Sequence, residues 1–445
     1  MQHRPMTHSL PRCLAGLIAG ATALALAAPA MAQLSPQEEA IVSAVDAGQD
    51  DVIAFHKAIV EINSGTHNAP GVRAVADVVM PELAALGFDV AWIDQSAQGR
   101  AGHVFARHTG TPGTTRMLLI GHLDTVFEPT APFQDYTREG DTVTGPGAED
   151  DKGGVAIMLA ALRAMHEAGT LDGANIIVAL TGDEESVGSP REAARADLLA
   201  AAQESDVALD FEGLARLDGK DMGSIARRSS NSWQVNTTGT EGHSSRIFSD
   251  GVGYGAIYEL VRILDAFREQ LPEEDLTYNV GIIAGGSEAA LSDDRLSATA
   301  YGKGNIIPPV AVARGDFRTI SPEQTERVVA KMEEIVAQNL PGTTATLQVS
   351  RGYPPMAPTE GNAALLDRLN AINADLGLEA MAVLPPIMRG AGDINFVAPY
   401  VDGLVGLGAA GGNGHAVGEW VDLSSFPRQA KRAAILMSRL AGERP

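Results

Sequence analysis

Hydrophobic residues recur along the chain at two spacings, one typical of helices and one typical of buried strands. Near the amino terminus, apolar residues three or four positions apart predict a helix with one buried face: Val52, Phe55, Ile59 and Ile62. Farther along, apolar runs predict strands at 117–120, 176–180 and 207–209, with a helix at 155–168. This alternation favours an α/β domain with a mostly parallel central sheet flanked by helices.

The pattern changes near residue 229, where apolar and polar residues begin to alternate. The next elements expected are a strand at 232–236, a helix at 255–268 and a strand at 312–318. We interpret 229–320 as a smaller α+β domain inserted into the first, a lid or dimerisation domain. The catalytic domain would then consist of 33–228 and 321–445. A chain of 445 residues also favours two domains, because single cores rarely grow that large.

Residues 1–32 have the pattern of a signal peptide. Two arginines precede an apolar stretch at 14–28, and Ala30-Met31-Ala32 fits the small-x-small cleavage motif. The stretch is shorter than the ~20 residues of a membrane-spanning helix. We therefore expect a periplasmic or secreted protein with no stable membrane association. Cleavage would remove Cys13, the single cysteine, so a metal site would use His, Asp and Glu.

The net charge of the chain is -23 at pH 7. A surface this negative repels phosphate backbones, so nucleic acid is not an expected partner. An acidic substrate would need basic residues at the site itself.

Two polar clusters have the composition of metal sites. His122 and Asp124 stand two positions apart after the strand at 117–120, so both side chains point to one side. Asp150 lies in the loop 145–154, Gly-Pro-Gly-Ala-Glu-Asp-Asp-Lys-Gly-Gly. Three consecutive acids there would repel phosphate, so a metal-bridging carboxylate fits better than a phosphate loop. A surface His and Asp, and a solvated acidic turn, remain alternatives.

Three further clusters follow predicted strands. Glu184 and Glu185 come after the strand at 176–180, where one carboxylate could bind a metal and the other act as general base. Glu212 follows the next strand, and His415 ends a glycine-rich loop. Each cluster alone could be an ordinary exposed loop.

In their order along the chain, these clusters resemble the M20 metallopeptidase family, most closely its glutamate carboxypeptidase branch. The resemblance runs from about residue 50 to the end. It is carried by Gly-His-Leu-Asp-Thr-Val at 121–126, Asp-Asp-Lys-Gly-Gly at 150–154, Gly-Asp-Glu-Glu at 182–185, Asn-Ile-Ile-Pro at 305–308, Asp-Phe-Arg at 316–318 and His415.

The resemblance implies two zinc ions per chain, although Co²⁺ or Mn²⁺ could occupy the same nitrogen and oxygen ligands. His122 and Glu212 would hold one ion, Glu185 and His415 the other, and Asp150 would bridge the two.

The resemblance also implies roles in catalysis and substrate binding. Asp124 would orient His122, and Glu184 would be the general base. His243 would reach the active site of the other subunit of a homodimer formed through the inserted domain. Asn305 and Arg318 would recognise the substrate carboxylate.

The function implied is that of an exported di-zinc carboxypeptidase. It would hydrolyse the amide bond to a carboxyl-terminal amino acid, with acidic residues among the candidates, in small peptides or N-acyl amino acids. An aminoacylase or dipeptidase on the same scaffold is the alternative within the enzyme class. Outside it, the alternatives are an exported solute-binding protein, which is also two-domain α/β with a signal peptide, and a catalytically inactive relative used as an interaction surface.

Overall fold

A central sheet with helices on both faces and a second, antiparallel sheet make up the fold. The computed structural model describes residues 34–445, so the predicted signal peptide lies outside the described residues. The helices of the first part are α1 (Pro36–Ala47), α2 (Gln49–Val60), α3 (Ala69–Ala85), α4 (Lys152–Glu167), α5 (Arg191–Ala194) and α6 (Ala196–Gln203). Its strands are β1 (Asp89–Asp94), β2 (Gly102–His108), β3 (Arg116–His122), β4 (Thr137–Glu139), β5 (Thr142–Thr144), β6 (Asn175–Thr181), β7 (Val207–Asp210), β8 (Arg216–Leu217) and β9 (Lys220–Gly223).

The remaining elements follow in two groups. The middle group is β10 (Ser230–Gly239), β11 (Gly242–His243), α7 (Ala256–Gln270), β12 (Thr277–Gly286), β13 (Glu288–Leu291), β14 (Ala298–Tyr301), β15 (Ile306–Ile307), β16 (Val310–Arg318), α8 (Pro322–Val336) and β17 (Thr343–Tyr353). The last group is α9 (Glu360–Asp375), β18 (Ala382–Val383), α10 (Ile394–Val397), β19 (Asp402–Val405), β20 (Gly411–Gly412), β21 (Trp420–Asp422) and α11 (Ser425–Ala441). Short 3-10 turns span Ser96–Gln98, Leu171–Gly173, Ser244–Arg246 and Pro386–Met388.

The central sheet has six strands in the order β1-β2-β6-β3-β7-β19. The pairs β6/β3, β3/β7 and β7/β19 are parallel, whereas β2 runs antiparallel to both of its neighbours. This arrangement confirms the predicted α/β class with a mostly parallel sheet.

Helix α4 lies at the centre of the larger core. Residues 152–162 of this helix are all buried, as expected of a helix covered on all faces. One face of the sheet packs with α1, α3, α4 and α11, and the opposite face packs with α6 and α10. None of the helices within residues 34–445 is long and apolar enough to cross a membrane.

The second sheet has the order β12-β16-β10-β17 and is covered on one face by α7 and α8. Alternate residues of β10 are buried, as the sequence pattern predicts, and Trp233 and Val235 face the helices. The expected end of this domain at 320 is too early. Strand β17 pairs with β10 along its length, so the antiparallel sheet continues to Tyr353.

Candidate metal centre

Four parallel strands of the central sheet end at one edge, where the polar clusters follow them. His122 is the last residue of β3, and Glu184 and Glu185 lie in the loop after β6. Glu212 follows β7, and His415 lies beyond β19, in the loop between β20 and β21. Because parallel strands end on the same side of a sheet, residues distant in sequence meet here.

Asp150 reaches this edge from the loop that precedes α4. Its Oδ1 lies 3.0 Å from His122 Nε2, and its Oδ2 lies 3.0 Å from His415 Nε2. Glu185 Oε2 lies 3.2 Å from the same nitrogen of His415. One carboxylate therefore faces two imidazoles, and a second carboxylate flanks one of them.

Gly154 allows the first turn of α4 to approach the strand ends this closely. A Cβ at this position would lie 1.9 Å from the carbonyl oxygen of Phe211, the residue after β7. Any other residue would push the start of α4, and with it Asp150, away from the sheet edge.

The charges of the cluster shift its pKa values. Burial alone would raise the pKa of Asp150, but hydrogen bonds with His122 and His415 outweigh burial and hold that pKa well below its usual range. Hydrogen bonds with Asp150 and then Glu185 raise the pKa of His415 to about 11. The cluster therefore stabilises positive charge at the imidazole nitrogens, as a cation site must.

Asp124 orients the side chains around it. The residue is fully buried, and its Oδ1 and Oδ2 accept hydrogen bonds from the backbone N–H groups of Glu184 and Glu185 at 3.0 and 3.2 Å. Thr66 donates to the same Oδ2 at 2.6 Å. His122 Nδ1 lies 3.1 Å from the carbonyl oxygen of Asp124 and 3.4 Å from its Oδ1, so that Nε2 faces Asp150. A histidine held by a carbonyl oxygen or a carboxylate in this way is typical of metal sites.

Glu184 lies in the cavity next to the cluster. Burial raises its pKa well above the usual range; His122 opposes that shift, whereas the negative charges of Glu212 and Glu185 add to it. A carboxyl group with a raised pKa can accept and release a proton near neutral pH, as a general base must. Tyr353, at the end of β17, donates a hydrogen bond to the carbonyl oxygen of Glu184.

A buried arginine connects the loop of Glu184 to the loop before α10. Arg195 Nη1 contacts Asp183 Oδ1 at 2.5 Å, and its Nε contacts Asp393 Oδ1 at 2.8 Å. Thr181 donates to the other oxygen of Asp393 at 2.5 Å, and Asp183 accepts from Gly188 N at 2.7 Å. The ion pairs fix the backbone on either side of the cavity.

The structure does not place Glu212 beside His122 as a ligand. Its Oε2 pairs with Arg227 Nη1 at 2.5 Å and lies 3.5 Å from Arg389 Nη2. Glu212 nevertheless lines the same cavity as Asp150. Within residues 34–445, the groups close enough to share one metal ion are His122 with Glu184 and Glu185, and Asp150 with Glu185 and His415.

The three predicted site residues of the inserted domain lie in two different places. His243 and Asn305 are exposed and adjacent, because β11 pairs with β15, and neither lines the cavity of this chain. Arg318 lies nearer: its Nη1 is 3.9 Å from the position of a Cβ on Gly390, which does line the cavity.

The clustered side chains fit a metal ion in composition and spacing. They offer only imidazole nitrogens and carboxylate oxygens, which suit zinc and related divalent ions. Two ligands about 2.0–2.1 Å from a tetrahedral zinc lie about 3.3 Å apart, close to the separations of 3.0–3.2 Å seen here.

Sequence reasoning missed the charged residues that support and face the cavity. Burial raises the pKa of Glu149 to about 8, and Glu419 accepts hydrogen bonds from the backbone of Glu149 and Asp150. Arg227 and Arg389 also line the cavity. The Arg-Gly-Ala-Gly run at 389–392 is the one available signal, since a cation within a glycine-rich segment suits a binding loop.

Comparison with known proteins identifies the family. The model of peptidase family M20/M25/M40 matches residues 118–439. Carboxypeptidase G2 of Pseudomonas sp. (strain RS-16) is 29% identical over 88% of this chain and 90% of its own. Succinyl-diaminopimelate desuccinylase of Acidiphilium cryptum (strain JF-5) is 25% identical over 82% and 92%.

Solved structures have the same fold. The YXEP protein of Bacillus subtilis, described as a dinuclear metal binding peptidase, matches with a TM-score of 0.60 at 14% identity, covering 89% of this chain and 99% of its own. The resemblance predicted from the sequence is thereby confirmed. The chain belongs to peptidase family M20/M25/M40 and is a metal-dependent peptidase or amidohydrolase.

Proposed function

We propose that the protein is an exported di-zinc carboxypeptidase that releases a carboxyl-terminal amino acid from small peptides or N-acyl amino acids. The observation that carries this proposal is the position of Asp150, whose two oxygens face His122 and His415 at 3.0 Å each. A carboxylate with one imidazole on each side is suited to bridge two metal ions. The YXEP protein, described as a dinuclear metal binding peptidase, supports the same reading.

In this proposal, His122 and Glu212 would hold one zinc ion, Glu185 and His415 would hold the other, and Asp150 would serve both. Glu212 enters on the family resemblance and on its place in the cavity. On metal binding, the carboxylate of Glu212 would leave the guanidinium of Arg227 and bind the metal ion instead. Co²⁺ or Mn²⁺ would suit the same ligands.

The side chains of the cavity account for amide hydrolysis. Bound zinc would supply Lewis-acid chemistry, which polarises a carbonyl and makes water more acidic. Glu184 accepts the proton of the attacking water and delivers it to the leaving amine. Asp124 keeps His122 and the Glu184 loop in position for both steps. Arg318 and Asn305 bind the substrate carboxylate, and His243 of a second subunit stabilises the developing oxyanion.

The proposal of export is based on the pattern of residues 1–32. The proposal of a homodimer is based on an exposed surface of the inserted domain. That domain exposes large apolar side chains on α7 and in the preceding loop: Phe248, Tyr258 and Val261 are 56%, 50% and 51% exposed. Contiguous exposed apolar residues are typical of protein interfaces.

A panel of matched substrates tests the proposed activity. We expect hydrolysis of N-acyl amino acids and N-acyl dipeptides with a free α-carboxylate, and a loss of about 10²-fold or more when that carboxylate is an amide. Cleavage of N-acyl amino acids but not N-acyl dipeptides would indicate an aminoacylase. Cleavage of unblocked dipeptides alone would indicate a dipeptidase.

Metal content separates the enzyme from a solute-binding protein. We expect about two zinc ions per chain by elemental analysis, and the loss of most of both in Asp150→Ala, because one bridging carboxylate serves two ions. Full metal content in that variant would show that Asp150 is not the bridge. Protein without metal or hydrolytic activity would contradict the proposed function.

A further inference from the structure

A tyrosine of the second sheet contacts the loop that carries the proposed general base. The hydroxyl of Tyr353 donates a hydrogen bond to the carbonyl oxygen of Glu184. Tyr353 is the last residue of β17, whereas Glu184 follows β6 of the central sheet, 169 positions earlier in the chain. The domain of the antiparallel sheet therefore touches the backbone of Glu184 directly.

A one-residue bulge lies just before this tyrosine. Ser230 pairs with Tyr353 and Asn231 pairs with Arg351, so Gly352 is an extra residue in β17. A Cβ on Gly352 would lie 1.9 Å from the carbonyl oxygen of Ser230, so only glycine fits at this position. The N–H group of Gly352 donates to Asn231 Oδ1 at 3.3 Å. Side chain and backbone of β10 thus accommodate the bulge.

The bulge decides which face of the sheet Tyr353 occupies. Ala345, Leu347 and Val349 pack against the core that α7 and α8 cover. Because residues two apart share one face of a regular strand, position 353 would face the same helices. One extra residue reverses the alternation, and Tyr353 meets Glu184 on the opposite face. The local structure of β17 therefore directs this side chain at the loop after β6.

The ring of Tyr353 has contacts that do not depend on its hydroxyl. Its centroid lies 4.9 Å from the ring centroid of Phe396, a residue of α10. Arg195 Cζ in turn lies 5.5 Å from the centroid of that phenylalanine ring. A phenylalanine at position 353 would keep this packing and lose only the hydrogen bond to Glu184. The role of the hydroxyl can therefore be tested separately.

Asp124 holds the other side of the same peptide group. The N–H group of Glu185 donates to Asp124 Oδ2 at 3.2 Å, while the carbonyl oxygen of Glu184 accepts from Tyr353. Both belong to the peptide group that joins Glu184 to Glu185, and in a planar trans peptide they point in opposite directions. Turning this plane would break both hydrogen bonds at once. The peptide group is thus fixed from the central sheet and from the second sheet together.

We propose that Tyr353 is a positioning residue for catalysis: with Asp124, it fixes the peptide group 184–185 and so the relative direction of the two glutamate side chains. This inference rests on the proposed function, in which Glu184 is the general base and Glu185 binds zinc. The two side chains leave the Cα atoms on either side of this peptide group, so a turn of its plane would move one carboxylate relative to the other. A misplacement of about 1 Å can cost about 10²-fold in rate.

Tyr353→Phe tests the role of the hydroxyl in turnover and in metal binding. We expect kcat to fall about 10-fold while KM changes less than about twofold, because the hydroxyl contacts the loop and not the substrate. The zinc dissociation constant, measured by chelator competition, should rise about 10-fold. Tyr278→Phe is the matched control, since it removes a hydroxyl at β12, the opposite edge of the same sheet. An unchanged kcat, or a change in KM alone, would overturn the proposal.

A double-mutant cycle separates positioning of the base from a general loss of structure. If Tyr353 acts through Glu184, Tyr353→Phe should lower kcat by less than about twofold when Glu184 is already glutamine, with zinc saturating in every sample. Loss of structure elsewhere would lower kcat by the same factor in both backgrounds. Equal factors would therefore refute the positioning role.

Hydrogen exchange of the metal-free protein gives a readout that needs neither zinc nor turnover. The Glu185 amide should exchange about 5-fold faster in Tyr353→Phe, because the loss of one hydrogen bond loosens its peptide group, and at the wild-type rate in Tyr278→Phe. Unchanged exchange in an enzyme that hydrolyses its substrates would refute the inference and leave the proposed function standing. Faster exchange in a protein that neither binds zinc nor hydrolyses amides would confirm the contact and contradict the proposed function.

Discussion

Asp124 shows how one residue can organise a catalytic centre without lining its cavity. Its two oxygens hold the backbone of Glu184 and Glu185 and the ring of His122 at the same time. The nitrogen of His122 that faces Asp150 and the two adjacent glutamates are therefore placed by a single buried aspartate.

The adjacent glutamates should respond differently to substitution. Glu184→Gln keeps the shape of the side chain but cannot accept a proton, so we expect metal to remain while kcat falls by ~10²-fold or more. Glu185→Ala removes a carboxylate 3.2 Å from His415 and should reduce metal content as well as activity. Elemental analysis and steady-state kinetics on both variants test the assignment. An active Glu184→Gln enzyme would mean that another residue is the base.

The sequence predicted the residues of the centre better than their contacts. His122, Asp150, Glu185 and His415 lie together as expected, because each follows or precedes an element that ends at one edge of the sheet. The pairing of Glu212 with Arg227 was not predictable, since the contact depends on the path of the chain at 223–228. Arg389 gave only the signal of its glycine-rich run at 389–392, and that signal is weak because a cation in a loop is ordinarily exposed.

At the level of the elements, one buried arginine joins two of the loops that line the cavity. Arg195, between α5 and α6, pairs with Asp183, which precedes Glu184, and with Asp393, which follows residues 387–391. The three side chains are 1%, 0% and 3% exposed. The spacing between the Glu184 loop and residues 387–391 is thus set by ion pairs whose side chains do not line the cavity.

Arg195→Met should weaken both stability and turnover. Removing the cation leaves two buried carboxylates without a cationic partner, which costs about 3–5 kcal/mol of unfolding free energy. Because the loops would lose their relative position, we expect kcat to fall more than KM rises. The matched control is Arg107→Met, whose ion pair with Glu204 is about half exposed and should contribute at most about 1 kcal/mol. Chemical denaturation and kinetics measure both effects, and equal behaviour of the two variants would contradict the positioning role.

The sequence predicted individual helices and strands well but placed a domain boundary wrongly. The strand at 232–236 and the helix at 255–268 matched β10 and α7 because each has a clear apolar period. The predicted domain boundary at 320 was wrong because the pairing of a later strand could not be read from the sequence. Strand β17 alternates in burial from 343 to 350, yet only its pairing with β10, more than a hundred residues earlier, assigns it to the second sheet.

At the scale of the whole molecule, the proposed centre is incomplete in one chain. His243 is exposed, and its Nδ1 contacts Ser245 at 2.9 Å rather than any residue of the cavity. An exposed histidine beside an exposed apolar surface is expected if a second copy covers both. A symmetric dimer would then contain two equivalent sites, each completed by the other chain.

Mixing two inactive variants tests that arrangement. Homodimers of Glu184→Gln and of His243→Ala should each be nearly inactive. After unfolding and random re-pairing, half of the dimers are hybrids, and each hybrid has one site with both lesions and one with neither. Activity should therefore recover to roughly a quarter of wild type. Mixing Glu184→Gln with Glu185→Ala is the control, because both lesions lie in the same part of each chain and no intact site can form. With hybrid formation verified by differently tagged chains, recovery no greater than in this control would show that His243 acts within its own chain or has no catalytic role.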